Sequence, residues 1–201
     1  MVDLITKIVS HNNIHAKWLN TLSFMENTGA RKISKCEDPQ KVSLIQLKHA
    51  AEEHRHAYYL KKQINKLEVP FLVGYDTHEL LTPSHTRFYL HALDVACCKY
   101  LKKELKLKGA YLRYAAYLFV TYAIEVRADE LYPIYQEVLT KHNSKVMVKS
   151  IIIEEEGHLE EMIDQLQQFD AGWKFHAFKI QEIEQILFNN WMQALKNEID
   201  A

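Results

Sequence analysis

The chain is poor in glycine and proline, with five and four in 201 residues. Sandwiches and barrels need turn residues at short intervals, so this scarcity, with few alternating β-branched runs, points to helices. Three cysteines, two of them adjacent (Cys97, Cys98), do not make a secreted disulfide framework. Neither charge sign dominates: 25 basic and 26 acidic residues leave a formal charge of −1. That gives no electrostatic footprint for nucleic acid or an anionic membrane. The longest nearly apolar run, Ala115 to Ile124, is roughly half of what spans a bilayer, so no membrane span is expected. Met1 to Ser10 lacks the charged flank and apolar core of a signal peptide. A cytoplasmic protein is the resulting expectation. At 48% hydrophobic, a chain of this length can bury a substantial core, and no repeat or linker divides it. One domain over residues 1–201 is expected.

Periodicity predicts five or six helices and no strands. The first long helix runs from about Asn13 to Ile33, with Trp18, Leu22, Met25 and Gly29 on one stripe and Glu26 inside it. Pro39 suits the first turn of the next helix, which continues to about Leu67. Its stripe reads Val42, Ile45, His49, Glu53, His56, Leu60, Ile64, Leu67: apolar at both ends and polar in the middle. Pro70, Gly74 and Pro83 mark a break before a helix from about Ser84 to Leu105. Gly109 opens a helix from Ala110 to about Leu139, carrying Tyr114, Leu118, Thr121, Tyr122, Glu125 and Ala128. Pro133 should kink it or force a bulge. Asn143 or Ser144 can cap the following helix, whose stripe is Val148, Ile151, Ile152, Glu155, His158, Met162 and Leu166. Gly172 ends it. A last amphipathic helix, about Trp173 to Lys196, either covers its own domain through Trp173, Phe175, Phe178, Trp191 and Leu195 or forms a homodimer interface; the former is the default.

Two Glu-x-x-His pairs, Glu53 with His56 and Glu155 with His158, carry the chemical signal. Spacing of one turn puts a carboxylate and an imidazole on the same helix face, where both can bind one ion. About one such pair is expected by chance in this composition, so a single copy means nothing. Here each pair follows a helix with its own stripe glutamate, Glu26 and Glu125. Four carboxylates and two imidazoles suit two iron or manganese ions in a helical bundle. Four negative charges would offset two divalent cations, with Glu53 and Glu155 as the bridging pair.

Hairpin symmetry tests this placement. The midpoint of Glu26 and Glu53 falls between Pro39 and Gln40, at a predicted turn. That of Glu125 and Glu155 is Thr140, shortly before Asn143. The stretch from about Glu68 to Lys108 is long enough for one crossover between antiparallel hairpins, the ferritin-like arrangement.

Each residue taken singly has a plainer use. A stripe glutamate is more often a rim residue, and a stripe histidine a hydrogen-bonded core residue. Glu130 competes with Glu125 for the third-helix position, Glu154 with Glu155, and Glu52 with Glu53. His49 either supports a ligand carboxylate or, more simply, is core. Tyr122 is a candidate redox or proton-donating side chain, although packing is the commoner role. The Cys97–Cys98 pair is more simply buried packing than redox chemistry.

At these positions the chain resembles the ferritin-like diiron-carboxylate superfamily, over about Asn13 to Phe169. The resemblance implies an all-α, antiparallel four-helix bundle with one long crossover, holding two non-haem irons (or manganese and iron) that react with O2 or peroxide. Glu26, Glu53, His56, Glu125, Glu155 and His158 match the superfamily's ligands. Two complete Glu-x-x-His motifs look more like its oxygenase and oxidase branch than like storage ferritins. Ile124-Glu125 followed by Tyr132-Pro133 is loosely similar to the aldehyde-deformylating type. Since the Cys-x-x-Cys pairs of rubrerythrins are missing, an external electron donor is implied. The expected function is O2 activation for oxidation of a small organic, hydrophobic substrate. The alternatives are ferroxidase or peroxidase-type handling of iron or peroxide, and a non-catalytic bundle.

Overall fold

The computed structural model describes residues 1–70 and 72–201. It is all-α, with seven α-helices and no strand among the described residues: α1 (Val2–Val9), α2 (Asn12–Cys36), α3 (Leu44–Gln63), α4 (Pro83–Glu104), α5 (Gly109–Lys141), α6 (Lys149–Phe169) and α7 (Trp173–Ile199). Helix α2 packs along α3 and α5 along α6, while α4 and α7 lie against α5.

Two helix ends differ from expectation for local reasons, and one short helix is additional. Pro39 does not start α3. Asp38 Oδ1 accepts from the backbone N–H groups of Gln40 and Lys41, closing a turn, and Ser43 caps the helix by accepting from Gln46 N–H. Asn143 ends α5 instead of starting α6. It sits at φ 50°, while Ser144 N–H donates to Leu139 O at 3.0 Å and Asn143 N–H to Thr140 O at 3.1 Å, a Schellman closure. The short α1 was not expected from sequence; Leu4, Ile5, Ile8 and Val9 bury its inner face. Helix α5 continues through Pro133, which is solvent-exposed, so water can serve the carbonyl its missing N–H would have bonded.

Two apolar clusters fill the interior. One joins α1, the first half of α2, the start of α4 and the ends of α3, α5 and α7 around Trp18, Leu19, Leu60, Tyr135 and Trp191. The other joins the far half of α2 with α4, α6 and the start of α5 around Ile33, Leu93, Leu118, Phe119 and Met162. At about 1.5–3 kcal/mol for each large side chain buried, these clusters supply the main folding drive. The polar middle of the α3 stripe falls at the height between them. The connection from α3 to α4 is pinned to α2, where Asn20 Nδ2 donates to Gly74 O and Glu79 O and Thr21 Oγ1 accepts from Leu81 N–H. Helix α7 covers its own chain, burying Trp173, Trp191 and Leu195 but leaving Phe175 and Phe178 more than half exposed. Cys97 is buried and Cys98 half-buried, both as thiols.

Candidate metal centre

The structure brings all six side chains together. Glu26 comes from α2, Glu53 and His56 from α3, Glu125 from α5, and Glu155 and His158 from α6. All but Glu26 are at least nine-tenths buried. Their donor atoms form two groups, Glu26–Glu53–His56–Glu155 and Glu53–Glu125–Glu155–His158, each with its atoms within 4.8 Å of one another. Glu53 and Glu155 belong to both. Either group could hold a metal ion. Glu130, the competitor for Glu125, is exposed and paired with Arg127.

Each imidazole turns Nδ1 inward and Nε2 outward. His56 Nδ1 lies 3.0 Å from Glu155 Oε1, yet out of hydrogen-bond alignment, leaving a buried nitrogen without a hydrogen-bond partner. His158 Nδ1 lies 3.3 Å from Glu155 Oε2, 3.7 Å from Glu53 and 3.8 Å from Glu125. On the outer side the residue preceding each Glu-x-x-His crosses to the opposite motif. His158 Nε2 donates to Glu52 Oε2 and His56 Nε2 to Glu154 Oε2, both at 2.8 Å. Arg55 then donates to Glu154 at 2.7 Å. Glu52 and Glu154 are thus supports for the imidazoles, not members of either inner group. Such partners fix a ring's orientation and tautomer. The doubled Glu-Glu-x-x-His pattern was a sequence signal for this pairing.

Electrostatics follow from crowding. Burial, and then Glu26, Glu155 and Glu125, hold the Glu53 carboxyl well above the ordinary carboxylate range. Burial and Glu155 do the same to Glu125. Glu155 is pulled down instead: burial opposes this, but hydrogen bonds from Glu125 and His158 and the charge of the adjacent His56 outweigh it. Burial would lower both histidines, yet Glu155 and the neighbouring carboxylates lift each to about 9.

Other candidates land elsewhere. His49 is a buried, hydrogen-bonded core histidine. Its Nε2 donates to Glu161 at 2.8 Å, so the neutral ring accepts at Nδ1 from Tyr117 OH at 2.9 Å. It bonds none of the six carboxylates or imidazoles. Tyr122 packs edge-on to Trp173, with ring centroids 5.7 Å apart. The tyrosine at the cluster is Tyr132, whose hydroxyl donates to Glu26 Oε1. Sequence reasoning missed it, because the contact depends on how α2 crosses α5.

A cavity of about 100 Å³ opens beside the cluster between α2, α4 and α5. Glu26, Glu53 and Glu125 form part of its wall, and most of the rest is apolar, including Leu22, Val120, Ile124 and Trp191. Among the described residues no helix is long and apolar enough to cross a membrane. Comparison with protein-family models, curated proteins and solved structures found no match to this chain.

Proposed function

We propose that this is a ferritin-like four-helix protein whose six clustered side chains hold two iron ions, or one manganese and one iron, and that it uses O2 to oxidise a small organic molecule. The observation that carries the reading is the pair of four-donor groups sharing Glu53 and Glu155. The donor set fits: carboxylate oxygen and imidazole nitrogen suit iron and manganese, and no thiolate is present in either group. The buried, unbonded Nδ1 of His56 is where a metal bond would satisfy an otherwise costly polar atom.

Two bound irons would supply electrons and a binding face for O2, chemistry that no side chain can provide. The chain's own residues do the rest. Glu52 and Glu154 hold the imidazoles so that Nδ1 points inward. Arg55 braces Glu154, and Tyr132 steadies Glu26 while holding a proton at its Oε1. The apolar wall excludes water, which strengthens every charge interaction beside it. An external electron donor completes the turnover. The cavity favours an organic substrate over iron storage, which has no use for an apolar pocket at the carboxylates.

Anaerobic loading tests this directly. The protein should take up two Fe(II) per chain and then consume O2 when air is admitted. Uptake below about half an equivalent, or a loaded protein inert to O2, overturns the reading. Oxidation of many irons per chain, with assembly into a cage, would support the ferroxidase alternative instead.

A further inference from the structure

Helices α2 and α4 run side by side in the same direction, and this register brings two cysteines together. Near the entry to α4, Thr21 Oγ1 accepts from Leu81 N–H at 2.9 Å. Further along both chains, Lys32 Nζ lies 3.2 Å from Asp94 Oδ2 and donates to Leu90 O at 3.1 Å. Cys36 stands one turn beyond Lys32, and Cys98 one turn beyond Asp94. The pairing that joins the two charges therefore places the two thiols at the same height on adjacent helices.

Their surroundings agree with this placement. Both side chains pack against the same apolar cluster, and both are half-buried, whereas Cys97 is sealed inside that cluster. Burial, then the charges of Asp94 and Cys98, push the Cys36 thiol up to about 11, so the two sulfurs interact electrostatically. Burial and Asp94 also raise Cys98. With little thiolate at neutral pH, the pair reacts slowly and stays reduced until an oxidant persists. Cys36 is also the last residue of α2, and a fraying helix end gives its backbone the freedom to meet disulfide geometry.

We propose that Cys36 and Cys98 form a modification site, converted by a peroxide to a reversible disulfide that ties the end of α2 to α4. Cys36 lines the cavity together with Lys32 and Asp94, so the bond would fasten one cavity wall. One thiolate attacks a peroxide oxygen and the O–O bond breaks, giving a sulfenic acid and hydroxide, which takes up the proton the thiol released. The second thiol attacks that sulfur, the S–O bond breaks and water leaves as the S–S bond forms. In sum, two thiols and hydrogen peroxide give a disulfide and two waters: the sulfurs lose two electrons and the peroxide gains them.

The test treats the metal-free full chain with hydrogen peroxide, then alkylates it under denaturing conditions and digests it for mass spectrometry. Peptides joined through Cys36 and Cys98 should appear, with Cys97 alkylated, and dithiothreitol should abolish the link. Oxidation should raise the thermal midpoint by roughly 5–10 °C, because the bond closes a loop of about 60 residues. Amide exchange in the last turn of α2 should slow at least about tenfold. Cys36→Ser and Cys98→Ser should each lose both shifts, and Cys97→Ala should keep them, with Cys97→Val used if that variant does not fold. No disulfide, linkage through Cys97, or linkage only between chains overturns the proposal. A bond that forms without slowing exchange overturns the tie between α2 and α4. The site needs no metal, so it and the metal centre fail separately.

Discussion

Two buried polar clusters touch the same cavity, and only one of them is complete. In the first, Arg127 clasps Glu184 through Nε at 3.0 Å and Nη2 at 2.8 Å, reaches Gln185 at 2.8 Å and bonds Glu130. Tyr89 OH donates to the same Glu184, and the guanidinium lies 3.9 Å from the Phe188 ring centroid. One cation meets one buried carboxylate, and the donors around them have partners. In the second, Glu26, Glu53, Glu125 and Glu155 converge on two imidazoles, one of them with an unbonded inner nitrogen. Without a metal, that cluster stays buried only by holding protons on Glu53, Glu125 and both histidines. Burial of charge alone does not mark a binding site; an excess of one sign that the protein leaves unmatched does.

Removing one member from each cluster should separate them. Glu53→Ala or Glu155→Ala deletes a donor common to both groups and should abolish uptake of both metal equivalents, measured by elemental analysis after reloading. Arg127→Met strands Glu184 in the interior and should cost about 3–5 kcal/mol in urea unfolding while leaving metal uptake intact. If Arg127→Met lost metal instead, the clusters would be one unit and the contrast would fail.

The proton load gives the next effect. Both histidines sit near 9, against 6.5 for an ordinary histidine. Their contribution to metal-free stability is therefore full below pH 6.5 and lost as pH rises through 9. The raised Glu53 and Glu125 act with the same sign, starting from the ordinary carboxylate range. The depressed Glu155 acts oppositely, but only at acid pH. Thermal unfolding of the metal-free protein should fall by roughly several degrees between pH 6.5 and 9. Metal-loaded protein should not follow it, and metal uptake should tighten over the same interval as protons leave. A flat metal-free profile would mean the protons are not there.

Smaller still, Glu154→Ala or Glu52→Ala should weaken metal binding about 10–100-fold by freeing an imidazole, without abolishing it. Glu130→Ala and Glu156→Ala, both exposed, should leave binding unchanged within error in the same titration.

Glutamates set into apolar stripes were legible in the sequence because a 3.6-residue period has a definite inner face, and Glu26, Glu53, Glu125 and Glu155 each break it. Helix bodies were legible for the same reason. Ends were harder: Pro39 and Asn143 both carry signals that fit a helix start, and they were settled by the Asp38 carboxylate accepting from the backbone at one and by backbone hydrogen bonds at the other. Tyr132 could not be found from spacing, since it meets Glu26 across 106 residues of chain. Glu52 and Glu154 looked like rivals of the inner carboxylates until the helices were placed, because the choice turns on which way each side chain leans.

Helices α3 and α6 meet differently from the pairs on either side. Close packing joins α2 to α3 and α5 to α6, whereas α3 faces α6 through reciprocal carboxylate–imidazole contacts, with Lys48 and Arg55 at the edges. A seam closed by ions is one that salt can screen and proton loss can loosen, while oily interfaces beside it stay shut. The stripped molecule should open there first, and that opening offers an arriving cation a way in to the buried imidazole side of the donors.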